Sequence, residues 1–207
     1  MATFAAPLSA GAKVVSDHLS ANDDPEEIFK KLKGKQRMVF DVTQPHDILP
    51  FAWPRVFLIT NAATGVPEKE SSVMVILRHD GIPYAMEDRL WEKYKFGEIF
   101  KINDPATKAA AVRNPFWKPK PGDFQVPGIG NVAIGINELQ ESGVIFCVCN
   151  MALTVFSAAT AQQMNKDAAE VKKEWVSGLL PGINIVPSGV WALARAQKQG
   201  CAYCFAG

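Results

Sequence analysis

The chain has 207 residues, 48% of them hydrophobic and 21% charged, with 22 basic against 21 acidic side chains and a formal charge of +1. That balance suits one soluble globular domain with a sizeable core. It argues against a nucleic-acid binder, because the densest basic run, 30–37 (KKLKGKQR), is better explained as a solvated helix end, and no apolar run approaches the ~20 residues that span a bilayer.

Residues 1–35 form an amino-terminal extension. Its segment 2–12 (ATFAAPLSAGA) is small and apolar, and Ala10 and Ala12 flank Gly11 in the small-x-small form of a signal-peptidase site, although no basic stretch precedes it. An exported, periplasmic protein carrying the remnant of an export signal is the preferred reading; a cytoplasmic protein with a frayed tail is the alternative. Residues 13–36 look helical and peripheral, and 22–27 (NDDPEE) carries a helix-start signature for 25–33.

From residue 36 a regular alternation begins. Residues 38–42 read as the first buried strand, broken by 44–47 (QPHD). Residues 51–63 read as the first crossover helix, with Pro54 suited to a first turn. Residues 72–77 form the second strand, which ends at Arg78, His79, Asp80 and Gly81, and 86–96 is an amphipathic helix with Leu90, Trp91 and Tyr94 on one side. Residues 101–128 depart from the pattern, with five prolines and the aromatics Phe116, Trp117 and Phe124. So long a stretch without periodicity suggests a lid, a binding loop or an arm onto another subunit. Phe116 and Trp117 are then anchors for a partner surface, and the chain is expected to be a homo-oligomer. A helix over 132–142 leads into the strand 144–148, followed by a helix over 151–163. The next helix, 165–180, is capped by Asn165 and stopped by Pro181 and Gly182; 183–186 is the fourth strand, Ser188 caps a helix over 189–199, and 201–205 is a short terminal strand.

Strands of this kind are apolar without alternation, so they are buried on both faces. The expected fold is a single three-layer α/β domain, 36–207, with a mostly parallel five-stranded sheet and helices on both faces. Right-handed crossovers bring Gln44, His79, Cys149 and Ser188 to one sheet edge, where open α/β sheets place their ligands.

Cys149 is the residue expected to carry chemistry. It ends a strand and leads directly into a helix, whose free N–H groups and partial positive charge favour a thiolate. Asn150 and Ser188 border the same edge as binding candidates. If their strands are neighbours, His79 can bring an imidazole to the thiol. The bland alternatives are a buried structural cysteine and a histidine in a surface turn. Cys147 lies mid-strand. Cys201 and Cys204 have half the spacing of a zinc knuckle, but strand alternation sends them apart, so no metal is expected. Gly128 and Gly130 lack the third glycine of a dinucleotide loop and no Walker lysine motif is present, so no cofactor is expected either.

The segments 73–79 (VMVILRH), 139–150 (LQESGVIFCVCN) and 186–200 (VPSGVWALARAQKQG) together resemble the DsrE/DsrF-like family, associated with sulfur relay and intracellular sulfur oxidation. The resemblance covers 36–207 in order. It implies a five-stranded α/β fold, assembly into dimers, trimers or hexamers, and a cysteine that accepts persulfide sulfur from a donor protein and passes it to an acceptor. By motif that cysteine is Cys149. A small-molecule-binding protein without catalysis, or a structural oligomer, are the alternatives.

Overall fold

The computed structural model describes residues 24–207. In chain order its strands are β1 (Gln36–Val42), β2 (Ser71–Leu77), the two-residue β3 (Gln125–Val126) and β4 (Gly130–Asn131), β5 (Ile145–Cys149), β6 (Ile183–Val186) and β7 (Ala202–Phe205). Its α-helices are α1 (Leu49–Ala63), α2 (Asp88–Tyr94), α3 (Phe96–Ile99), α4 (Ile136–Glu141), α5 (Asn150–Gln163), α6 (Ala168–Ser177) and α7 (Gly189–Lys198). No helix among the described residues is long and apolar enough to cross a membrane.

Five strands form one sheet in the order β6-β5-β2-β1-β7, all parallel. Val42 pairs with Leu77, Leu77 with Val148, and Cys149 with Val186, so the carboxyl ends of four strands lie level. Alternate residues feed two cores, as a pleated strand requires. Phe40, Val42, Val75, Leu77, Phe146 and Val148 pack with Phe51, Leu90 and Leu153 of the crossover helices. Val39, Met74, Ile76, Cys147 and Val186 pack with Ala192 and Ala196 of α7 and with Phe29 and Leu32. Each crossover from β1 to β2, β5 and β6 steps one strand in the same direction, and right-handedness sets those helices on one face. The return from β6 to β7 passes three strands the other way and sets α7 on the opposite face. This is the expected α/β domain.

Several local expectations are revised. Residues 1–23, including the signal-like segment and much of the predicted 13–36 helix, lie outside the described residues. The remainder of that predicted helix is a single 3-10 turn, Glu27–Lys31, tied down by buried Phe29 and by an ion pair from Arg195 to Glu26 at 2.8 Å. The helix expected over 86–96 is divided where Lys95 takes a left-handed conformation, φ 53°. Helix α6 is capped by Asp167, whose carboxylate accepts the Glu170 N–H at 2.9 Å, while Asn165 takes φ 52° in the preceding turn. Helix α4 starts only at Ile136, with the Gly135 N–H donated to the Glu138 carboxylate at 2.8 Å.

The 101–128 segment folds back on its own chain. Phe116 is 3% exposed, stacks on Phe51 at 4.2 Å and on Phe124 at 4.9 Å, and meets Tyr84 edge-on. It is therefore a core residue of its own subunit, which corrects its assignment as a partner anchor: its apolar surface is already covered. Trp117 is half-buried beneath the Lys118 ammonium. Fully buried Asn114 fixes the segment, donating to the carbonyls of Tyr84 and Met86 at 2.8 and 2.9 Å and accepting the Phe116 N–H at 3.1 Å. Asn114→Ala strands the Tyr84 carbonyl and the Phe116 N–H, while the Met86 carbonyl keeps the Trp91 indole N–H at 3.1 Å, and should cost about 1–3 kcal/mol in urea unfolding. A change within a few tenths would mean that the aromatic stack alone seats the segment.

Candidate functional site

Because the sheet is parallel, Gln44, His79, Cys149 and Ser188 all follow or end strands at the same edge. Within that edge one position is special. The helix after β5 lies on one face and the helix after β6 on the other, so the connectivity reverses between two adjacent strands. Open α/β sheets form their ligand crevices at such a point.

Cys149 occupies it. The residue is the N-cap of α5, with φ −74° and ψ 112°, and its Sγ accepts the Ala152 N–H at 3.3 Å. The side chain is 6% exposed. Sulfur thus receives one of the four N–H groups that a helix start leaves without intrahelical partners. Asn150 follows as the first residue of α5, is 2% exposed, and its side-chain amide nitrogen has no hydrogen-bond partner among the described residues. A buried donor without an acceptor is uncommon in a folded protein.

The cation of the site is Arg78. Its guanidinium grips Asp41 of β1 in a fork, Nε to Oδ1 at 2.7 Å and Nη2 to Oδ2 at 2.8 Å, and the Tyr203 hydroxyl donates to Oδ2 at 2.9 Å. Asp41 is 1% exposed. The hydrogen bond to Asp41 is the main reason the arginine holds its proton more firmly than usual, and Tyr203 and Cys149 add smaller electrostatic contributions. Arg78 stands one residue past Leu77, which pairs with Val148, so it lies level with Cys149 of the neighbouring strand. The stem of Arg78 lies on Gly189, the first residue of α7, where an added Cβ would come within 2.6 Å of Arg78 Cδ and 2.7 Å of its Cβ. Ser188 is a structural cap there, accepting the Trp191 N–H at 3.2 Å. Gly189→Ala should therefore displace Arg78 and destabilise the fold by about 1–3 kcal/mol by thermal or urea unfolding. An unchanged stability would show that Arg78 has room to move aside.

His79 stands at the same edge with its side chain 65% exposed and a left-handed backbone, φ 49°. Its ring meets Phe156 of α5 edge-on at 5.5 Å, and Nδ1 lies 3.3 Å from Asp80. The structure thus sets Cys149, Asn150 and Arg78 level at one sheet edge, seats Ser188 as a cap, and sets the His79 ring along the flank of α5. Phe116 and Trp117 belong to the folded-back segment. Arg78, Asp41, Tyr203 and Gly189 were not singled out from the sequence. The available signal was Asp41, a lone acid in an apolar strand, which needs a buried partner.

The other thiols are disfavoured as nucleophiles by burial. Cys147 is fully buried and pushed up to about 12. Cys201 is raised by burial, with Arg37 opposing, and Cys204 is raised by burial as well. Cys201 packs in the α7-side core and Cys204 against the opposite core. All four cysteines are free, and no group of three or more His, Cys, Asp or Glu side chains gathers among the described residues.

No family model matches the chain, and no curated protein matches it. Among solved structures it is similar to the protein of unknown function MTH1491 from Methanobacterium thermoautotrophicum, with 18% identity, a TM-score of 0.43, and coverage of 83% of this chain and 99% of that one.

Proposed function

We propose that the protein carries sulfur, with Cys149 alternating between thiol and persulfide, as its resemblance to DsrE/DsrF-like proteins implies. One observation supports the reading above the others: the Cys149 sulfur sits at the topological reversal and accepts an N–H from the first turn of α5, with Arg78 level with it past the end of the neighbouring strand. In the loading step the Cys149 thiolate attacks the outer sulfur of a donor persulfide. The donor S–S bond breaks, the donor leaves as a thiolate that takes up a proton, and a new S–S bond forms on Cys149. An acceptor thiolate reverses the step, so the sulfane sulfur moves without net oxidation or reduction. Donor and acceptor are proteins or small thiols that must reach a nearly buried sulfur.

A second reading is favoured by the orphaned Asn150 amide: a small acceptor-rich ligand held at the same point without covalent chemistry. The assembly we propose is a homo-oligomer, supported by Tyr203 and Phe205, 46% and 51% exposed on the edge strand β7. Light scattering at micromolar concentration should return a multiple of the chain mass, and a strict monomer would end that part of the proposal. Sulfur carriage is tested by intact mass after treatment with polysulfide. The expected result is the gain of one sulfur atom, removed by reductant and mapped to the Cys149 peptide. A tightly held ligand in native mass spectrometry, with no sulfur gain, would instead establish the second reading.

A further inference from the structure

A separate feature, apart from Cys149, lies between α5 and α6. A surface cavity of about 380 Å³ opens there, with Ala158 of α5 and Ala168 and Val176 of α6 on its walls. Lys172 belongs to its lining and is only 7% exposed. Its Nζ donates to Thr154 Oγ1 at 2.7 Å, and that hydroxyl in turn donates to the Asn150 carbonyl at 2.9 Å. An ammonium has three protons to donate, and Thr154 takes one.

The second polar contributor to the lining with a charge is Lys173; no acidic residue lines the cavity. Burial lowers the proton affinity of Lys172 below that of an ordinary lysine, and no carboxylate among the described residues restores it. Buried cations are ordinarily paired, because removal from water costs several kcal/mol that only a counter-charge offsets. The lining therefore combines unneutralised positive charge with apolar walls.

We infer that this cavity binds an amphipathic carboxylate, its head on Lys172 Nζ and its hydrocarbon tail against Ala158, Ala168 and Val176. A carboxylate suits the walls better than a phosphate, since a doubly charged head loses more hydration on entering so apolar a cleft. The inference is tested by calorimetric titration of the whole protein with octanoate, hexylamine and inorganic phosphate. Octanoate should bind saturably and hexylamine should not bind. Lys172→Met should weaken octanoate at least about tenfold, because a charge-assisted hydrogen bond is lost. The same variant should melt higher without ligand, since it removes a desolvated cation. Ala158→Trp, which fills the cavity from its exposed rim and keeps Lys172, should also lose octanoate. Octanoate affinity unchanged from the parent in either variant, no saturable binding to the unaltered protein, or phosphate binding as tight as octanoate would each overturn the inference. Cys149→Ser should bind octanoate unchanged, which separates this site from the sulfur chemistry.

Discussion

Replacing Cys149 by Ser should abolish persulfide loading and leave the protein folded. Serine keeps the geometry of the site, because its hydroxyl oxygen can accept the Ala152 N–H that sulfur now accepts at 3.3 Å, and Ser is among the preferred helix N-caps. What it removes is the one atom able to form the S–S bond. Melting temperature and far-ultraviolet circular dichroism should match the parent, while the mass gain after polysulfide treatment falls to background. Cys201→Ser is the control: its sulfur lies in the α7-side core and its loss should leave loading unchanged. Full loading of Cys149→Ser would move the sulfur to another cysteine.

The second large effect is thermodynamic. Arg78→Met leaves the Asp41 carboxylate, 1% exposed, with the Tyr203 hydroxyl as its remaining side-chain partner. Breaking a buried ion pair from one side should cost about 3 kcal/mol, the lower end of the usual range, since the Arg78 side chain is 27% exposed and keeps some water contact. The double variant Arg78→Met, Asp41→Asn should recover most of that loss, because no uncompensated charge remains. Urea unfolding of the two variants gives both numbers. A single-variant cost below about 1 kcal/mol would show that Asp41 is neutralised in some other way. Persulfide loading should slow in both variants, since the cation level with Cys149 on the neighbouring strand is absent from each.

The sheet was legible because its strands carry their burial in their composition. Residues 73–77 and 144–148 are apolar at every position, a pattern that suits only strands covered on two faces. Cys149 was legible for the same reason, since a strand end meeting a helix start can be seen in one dimension. The cation was not. Arg78 and His79 are adjacent and equally polar, and deciding between them needs the strand order that sets β2 between β1 and β5, together with the Asp41 partner that draws the arginine inward. The 101–128 segment misled because aromatic residues without periodicity look the same whether they seek a partner or their own core. Asn114, which seats Phe116 on Phe51, reaches Tyr84 and Met86 across a long sequence separation. Ser188 caps its helix as expected, but the cap expected at Asn165 lies two residues on for a local reason: Asn165 and Asp167 are both good N-caps, and the left-handed turn at Asn165 gives the position to Asp167.

The most direct test of Cys149 as the reactive thiol is limiting alkylation of the native protein near neutral pH, followed by peptide mapping. Cys204 makes the test stringent, because it is the one cysteine of the four that is only partly buried. Accessibility alone would label Cys204 first. The geometry around Cys149 predicts that it reacts first, its sulfur held on the helix N–H and level with Arg78, with Cys204 and Cys201 later and Cys147 unlabelled until the protein unfolds, its thiol pushed up to about 12. If Cys204 or Cys201 is labelled ahead of Cys149, the nucleophile has been assigned to the wrong end of the sheet.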